Sequence, residues 1–410
     1  MVAANNRPRL RQLDVVYVPN QEAGPAVVLR DSQGIAAAPI VVPVALARIV
    51  CRFDGTRTVE EIAGEAAREH GPSVDVALVA RLVEELDDAC LLDTPRARAR
   101  GAALVRSFAA ARVRKATHAG GAYHAEPSRL RRFIEEECLA HAPPCELAGP
   151  LVGLCSPHMD LWRAAEGYGH AYRALLDKLA PEVDTFILLG TSHAAMRRPF
   201  AVCEKEFETP LGLLEPDREI LSALRGSCRF DLTADEYLHK GEHSIELQTV
   251  FLQYVLGQRS QSARIVPILC GYHSGAEGLG EESDAEWFLR ALRTIVAERQ
   301  GRAVVIAGAD LAHVGPRFGD LEPLDARGRR ALERRDQESV DLALRLDAEG
   351  FSRQVRADLD RRRVCGLSPI YTLLRVLPPA RGVALHYSQC VTPNEGSVVS
   401  HASMAFVALH

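Results

Sequence analysis

Apolar positions recur along this chain in two successive rhythms. Over residues 12–44, short β-branched runs alternate with turn-formers. The runs are Val15-Val16-Tyr17-Val18 and Ala26-Val27-Val28-Leu29, and the turns are Pro19, Gly24 and Asp31 to Gly34, which predicts a small β-hairpin. Helical spacing follows. Val44 to Phe53 stops at Asp54-Gly55, and Thr58 with Glu61 forms a capping box that opens a helix running to His70-Gly71. A third helix, Asp75 to Leu86, places Val76, Val79, Val83 and Leu86 on one stripe. A hairpin and three short helices predict a small winged-helix-like domain over residues 1–95. The Ala/Arg-rich stretch that comes next predicts a solvated, basic connecting helix over 96–112.

The second rhythm begins at Ala148 and belongs to a domain over 113–410. Near-continuous apolar runs end in small polar loops: LVGLCSPH, FILLGTSH, ARIVPILCG, AVVIAGADLAH and VALHYSQC, with helical stretches between them. Runs of this kind are strands buried on both faces, so the fold class is α/β, a mixed, mostly parallel sheet covered by helices, plus the small N-terminal domain. In such sheets ligands bind at the carboxyl ends of the strands.

Composition narrows the function. The chain is 47% hydrophobic and 25% charged over 410 residues, an ordinary globular balance at a length that favours two domains. A formal net charge of -5 argues against nucleic acid as a partner, and so do 12 Lys plus Arg against 14 Asp plus Glu in residues 1–100. The longest apolar stretch, Gly34 to Val50, is interrupted by prolines and an arginine and is too short to span a membrane. Met1 to Leu13 is polar and arginine-rich, so no secretory signal is expected and the chain reads as cytoplasmic. The ten cysteines are scattered singly, which predicts reduced thiols that serve mostly as small buried apolar groups.

Several polar residues fall where the strands end. His158 follows one strand and His193 another, so both should emerge on one rim, where two imidazoles can share a metal; either can also be a structural residue. Asp310 and His313 follow a third strand in GADLAH, where the aspartate can orient an imidazole, act as a general base or cap a helix. His243 and Glu246 in KGEHSIELQ are spaced to share a helix face, as support for a metal ligand, an acid/base pair or a satisfied buried hydrogen bond. Cys365 precedes the apolar helix from Ile370 to Val376. A thiol at a helix N-terminus has a lowered pKa, suited to metal ligation or to nucleophilic attack.

Two resemblances build on these residues. LARIVCRFDGTRTVEEIA and VARLVEELDDACLLD resemble PqqD-like peptide-chaperone domains, which implies that residues 1–95 bind a peptide substrate or protein partner; a structural or dimerisation role is the alternative. The strings CSPHMD, FILLGTSH, GEHSIELQ, GADLAHVG and VCGLSPI occur in the order and at roughly the intervals of the Memo family. That family is also called protein B of the AmmeMemoRadiSam system. KATHAGGAYHAEPSRLRRFI is similar to its opening segment and GSVVSHASMAF to its final strand region, so the likeness covers about residues 113–410.

This resemblance implies a fold like that of the class III extradiol dioxygenases. It implies His158, His193 and Cys365 as metal ligands, with Asp310, His313 and His243 as catalytic or pocket residues. Non-haem ferrous iron is the implied cofactor and copper the alternative, and a radical-SAM protein and other members of the system are implied partners. The chain departs from the family pattern at Gln248, at Leu367-Ser368 and at Ala194, where the family often carries histidine or basic groups. The reading expected from all this is a redox-metal enzyme acting on a small molecule or peptide. A non-catalytic metal-binding adaptor is the alternative, and a metal-free thiol hydrolase built on Cys365 is a third option.

Overall fold

The computed structural model describes residues 7–18, 24–71, 73–271, 283–357, 361–393 and 395–409. A break in packing divides the chain into Met1–Ala110 and Ala111–His410. In the first unit, three strands form where a two-stranded hairpin was expected: β1 (Asp14–Val18), β2 (Ala26–Arg30) and β3 (Ile40–Pro43), antiparallel in that order. The cause is Asp31. Its carboxylate accepts from the backbone N–H groups of Gln33, Ile35 and Ala36 at 3.0, 2.7 and 2.7 Å and pairs with Arg11, which turns the chain back as a third strand. Of the expected turn residues, Gly24 takes φ +94°, and Pro19 lies outside the described residues.

Four helices follow: α1 (Val44–Val50), α2 (Val59–His70), α3 (Val76–Asp88) and α4 (Pro95–Ala110). The Thr58–Glu61 capping box opens α2. Val79, Val83 and Leu86 of α3 enter a core with Ile49, Phe53 and Ile62, whereas Val76 is exposed, because Asp75 caps the helix and Val76 is its first residue, beyond the reach of the core. The arginine-rich helix α4 is not wholly solvated. Ala97 and Gly101 are buried, and Gly101 lies so close to Ile35 that a β-carbon there would meet its Cδ1 at 2.9 Å.

The second unit is built on one mixed sheet. Its centre is parallel, in the order β5 (Leu151–Ser156), β11 (Ala303–Gly308), β6 (Thr185–Thr191) and β10 (Arg264–Cys270). Beyond β5 the long strand β14 (Val398–Ala408) runs antiparallel, and it pairs in turn with β13 (Ala380–Val391) and with β12 (His313–Val314). On the other side, β7 (Phe200–Val202) and β9 (Gly212–Pro216) flank β10, β8 (Glu206–Thr209) pairs with β9, and β4 (Val113–Arg114) closes that edge.

Helices cover both faces, as near-continuous apolar strands require. One face carries α6 (Leu161–Lys178) and α8 (His243–Leu256); the other carries α12 (Leu367–Val376), packed on α9 (Asp284–Glu298) and α11 (Ala348–Arg356). Helices α5 (Pro127–Phe133), α7 (Arg218–Ser227) and α10 (Ala326–Leu344) complete the unit. Among the described residues no helix is long and apolar enough to cross a membrane.

Two glycines set the height of α8 above the sheet. A β-carbon on Gly190 would meet Ile245 Cγ1 and Ser244 Oγ at 2.6 Å, and one on Gly308 would meet the Ser244 carbonyl at 2.5 Å. The first turn of α8 therefore lies directly on the carboxyl ends of β6 and β11. A third close approach lies in α6, where a β-carbon on Gly169 would stand 2.1 Å from the Cys138 carbonyl oxygen, a backbone atom that cannot swing aside. Gly169→Ala is expected to destabilise the second unit by about 1–3 kcal/mol. Gly64→Ala, mid-helix in α2 with only the tip of Arg68 within 4 Å, should stabilise the first unit by about 0.5–1 kcal/mol. Denaturant unfolding of both variants checks the two signs.

Candidate metal centre

The parallel strands deliver their side chains to one rim. His158 stands two residues beyond β5, His193 two beyond β6, and Asp310 two beyond β11. Two helices bring the rest: Glu242 and His243 at the start of α8, and Cys365 just ahead of Gly366, the cap of α12. Gly366 makes that approach, its N–H donating to the Asp310 carbonyl at 3.1 Å with no room for a β-carbon.

Three imidazoles gather at the rim. The ligand atoms of His158, His193 and His243 lie within 4.8 Å of one another, the one such group among the described residues, and it can hold a metal ion. The rings of His193 and His243 stack at 4.7 Å, and His158 stands edge-on to both, at 5.1 and 5.4 Å. Cys365 Sγ lies 3.4 Å from His158 Nε2.

Two outer nitrogens are already committed. His158 Nδ1 lies 2.8 Å from the Gly308 carbonyl, which can only accept, so Nδ1 carries the proton and Nε2 turns toward Cys365. Glu242 does the same for His193, its carboxylate 3.0 Å from Nδ1, and lies in electrostatic contact with His243, 3.3 Å from its Nδ1. It also accepts from the backbone N–H groups of His193 and Ser244. A carbonyl behind His158 and a carboxylate behind His193 fix tautomer and ring direction and raise ligand basicity.

The charges are strongly coupled. Burial pushes the Cys365 thiol up, but His158 and His313, with hydrogen bonds from His158 and His193, outweigh it and bring the thiol down to about 5. Burial opposes the charge on His158, yet Cys365 and Asp310 raise it to about 9. His193 is raised well above the ordinary histidine range, since Glu242 and Cys365 outweigh its burial, and burial drives His243 down to about 3. Burial also works against the Glu242 charge, but His193 and His243 hold its carboxyl well below the ordinary range.

The structure thus brings His158, His193, His243, Cys365 and Asp310 together, with His313 near enough to be among the groups that lower the Cys365 thiol and the Asp310 carboxyl. Asp310 accepts from the His158 backbone N–H at 3.0 Å and stands 3.7 Å from its Nε2. His313 lies in β12, its Nδ1 3.2 Å from the Leu311 carbonyl and its ring edge-on to Phe318. Nor does Asp310 cap a helix, since β12 follows it. Glu246 does not bond to His243. It takes the buried guanidinium of Arg114, the Tyr123 hydroxyl and the His118 backbone N–H, the last at 2.9 Å.

Sequence reasoning missed Glu242. The signal was its place before His243 at the start of a helix, where an acidic side chain caps backbone N–H groups. It also missed His118, whose ring stands edge-on to His243 at 5.5 Å. Where the family often has a histidine, Gln248 braces the His158 loop, donating to the Pro157 carbonyl at 2.9 Å and accepting from Tyr172.

The class so defined is a mixed α/β protein with a rim of histidines able to bind a metal. Comparison with known proteins then gives the family. A sequence model described as "Memo-like protein" matches residues 114–405, and the chain belongs to that family. A "MEMO1 family protein" of Aquifex aeolicus is 28% identical over 403 residues, covering 98% of this chain and 100% of its own length, so that alignment includes the first unit. A Thermus thermophilus relative of the same description is 30% identical over 331 residues, covering 80% of this chain and 93% of its own. The structure of an uncharacterized Escherichia coli K12 protein aligns with a TM-score of 0.34 at 12% identity, over 62% of this chain and 99% of that one.

The buried Arg114–Glu246 pair gives a test. Arg114 also donates to the His239 carbonyl at 2.8 Å and the Glu242 carbonyl at 2.7 Å, so removing its carboxylate partner leaves a charge without water or counter-ion. Burial raises the Glu246 carboxyl, but Arg114 and His118 outweigh it and hold it below its ordinary 4.5. A carboxyl lowered on folding contributes stability that is complete above the unfolded-state value and is lost as pH falls through the folded one. Glu246→Gln should cost about 3–5 kcal/mol at neutral pH. The gap to wild type should narrow as pH falls below 4.5, and denaturant unfolding from pH 7 to 3 measures both.

Proposed function

We propose that this protein is a metal-dependent redox enzyme whose centre is held by His158, His193 and Cys365, with His243 completing the imidazole group. The observation that carries this reading is the convergence of three imidazoles, two with their outer nitrogens already engaged, beside the Cys365 sulfur 3.4 Å from His158 Nε2. Imidazole nitrogens with one thiolate suit iron or copper better than magnesium or calcium, which prefer oxygen. Non-haem ferrous iron is the proposed occupant and copper the alternative. Bound there, such an ion would supply one-electron chemistry and open positions for a chelating substrate.

The residues of this chain perform the rest. Glu242 orients His193, and Asp310, sealed from water and held ionised against its burial by His158, would orient an imidazole or serve as general base, with His313 as the acid/base residue. His193 is part exposed, so substrate enters over that side of the rim. The pocket lacks the further basic groups common in the family, which favours a substrate of lower negative charge. The PqqD-like segments of the first unit supply a second element of the proposal, capture of a peptide substrate in an AmmeMemoRadiSam-type or peptide-modifying system; local tethering raises the effective concentration of a substrate.

Metal analysis of anaerobically purified, tag-free protein tests the reading. Near one iron or copper per chain is expected in the wild type, with loss in His158→Ala and Cys365→Ser and retention in His313→Ala, which is not one of the proposed ligands. A folded wild type that takes up no metal after incubation with ferrous or cupric salt would sink it, and belief would move to a metal-free thiol hydrolase or an adaptor. Oxygen uptake by the loaded protein separates an enzyme from a metal-binding adaptor.

A further inference from the structure

Buried polar atoms without partners gather where α6 packs on the β13–β14 hairpin. Six buried side-chain nitrogen or oxygen atoms lack a hydrogen-bond partner among the described residues, and four of them lie in or beside this contact: Ser156 Oγ, Arg163 Nη2, His386 Nε2 and His401 Nδ1. A native interior pairs nearly all such atoms, so a concentration of this kind calls for a bound species.

The helix is drawn down tightly at this place. Arg163, Gly167 and His170 are spaced four and three apart and so share one face of α6. Gly167 lets that face press on β14, since a β-carbon there would stand 2.5 Å from His401 Cε1 and 2.8 Å from its Nδ1. The hairpin grips the helix backbone, Cys390 Sγ donating to the Arg163 carbonyl at 2.9 Å and Ser403 Oγ to the Gly167 carbonyl at 2.6 Å. Arg163 and His401 stand within electrostatic reach of each other.

Charge separates the four atoms. The serine is neutral, and so are the imidazoles, burial driving His401 down to about 4 and His386 below the ordinary histidine range. Internal water suffices for those three. A guanidinium stays charged and can only donate. The Arg163 side chain makes no hydrogen bond or ion pair among the described residues, and water satisfies a hydrogen bond without cancelling a charge.

We infer that Arg163 and His401 hold a small monovalent anion, halide or nitrate in type, between α6 and the hairpin. One positive charge calls for one negative charge, and the tight contact at Gly167 keeps the occupant small. Arg163 donates from Nη2, and His401, 1% exposed, donates from Nδ1 in the tautomer that carries its proton there. Bound there, the anion fixes to the hairpin the start of the helix that follows the His158 loop. The inference stands whether or not the rim holds a metal.

Thermal unfolding of tag-free protein at fixed ionic strength, with bromide replacing gluconate, tests it. The wild-type Tm is expected to rise by roughly 2–4 °C and then level off, as binding to the folded state alone requires. Arg163→Met, which keeps the aliphatic stem, should lose the response, and Arg163→Lys, which keeps the charge, should retain a weaker one. In gluconate Arg163→Met should unfold no earlier than wild type, since it removes an uncompensated charge, and that order should reverse in bromide. A mere packing role for Arg163 predicts lower stability in both salts. In crystals grown with bromide, an anomalous peak is expected beside Arg163 Nη2. A wild type indifferent to bromide, an equal rise in Arg163→Met, or a peak only elsewhere overturns the inference and leaves water as the occupant. Iron or copper content should be the same in Arg163→Met as in wild type, and its absence from both would strike the rim reading alone.

Discussion

The centre depends on a salt bridge that water never reaches. Arg114 and Glu246 are both wholly buried, and together they tie the short edge strand β4 and the loop after it to the first turn of α8. An isolated charge could not persist there, so each member is held by several further hydrogen bonds: Arg114 by the carbonyls of His239 and Glu242, Glu246 by Tyr123, Thr117 and the His118 backbone. The consequence is positional. Arg114 grips the Glu242 carbonyl, and the Glu242 side chain grips His193 and lies against His243. A displacement of β4 would be felt at the imidazoles through two links.

Glycine supplies the other half of that constraint. Gly190 and Gly308 let α8 settle onto the strand ends, and without that contact neither Glu242 nor His243 would reach the rim defined by His158 and His193. One helix terminus is thus fixed from below by the absence of two side chains and from the side by a buried ion pair. This is the rigid support that a constellation of ligands needs if its atoms are to stay in register.

The strand ends were legible in the sequence because buried parallel strands leave a plain signature, an apolar run closed by small polar residues. His158, His193 and Asp310 could therefore be placed on one rim before any coordinates. What the spacing could not show was direction. His243 and Glu246, three apart, were expected to act together, yet His243 is the first residue of α8, turned to the rim, while Glu246 lies a turn deeper and answers to Arg114, far away in sequence. Glu242 was overlooked for a related reason: an acidic residue at a helix start has a local explanation, and nothing in the one-dimensional pattern reveals that its second task is to hold an imidazole. The third strand of the first unit was hidden in the same way, since it depends on backbone N–H groups donating to the Asp31 side chain rather than on hydrophobic rhythm.

The charge arrangement at the rim is one that a bound cation would relieve. The site sets the Cys365 thiolate and the Asp310 carboxylate against a raised His158 and the Glu242 carboxylate against a raised His193, so three anions and two protonated rings sit together. A purely structural cluster would gain little from such a set, because desolvation opposes every one of these charges. A cation held there by the imidazoles and Cys365 would compensate the thiolate and both carboxylates without protons on the rings. The same donors held apart from these anions would be a weaker trap. Glu242 and Asp310 would therefore support such a site as much as the imidazoles do, without being ligands themselves.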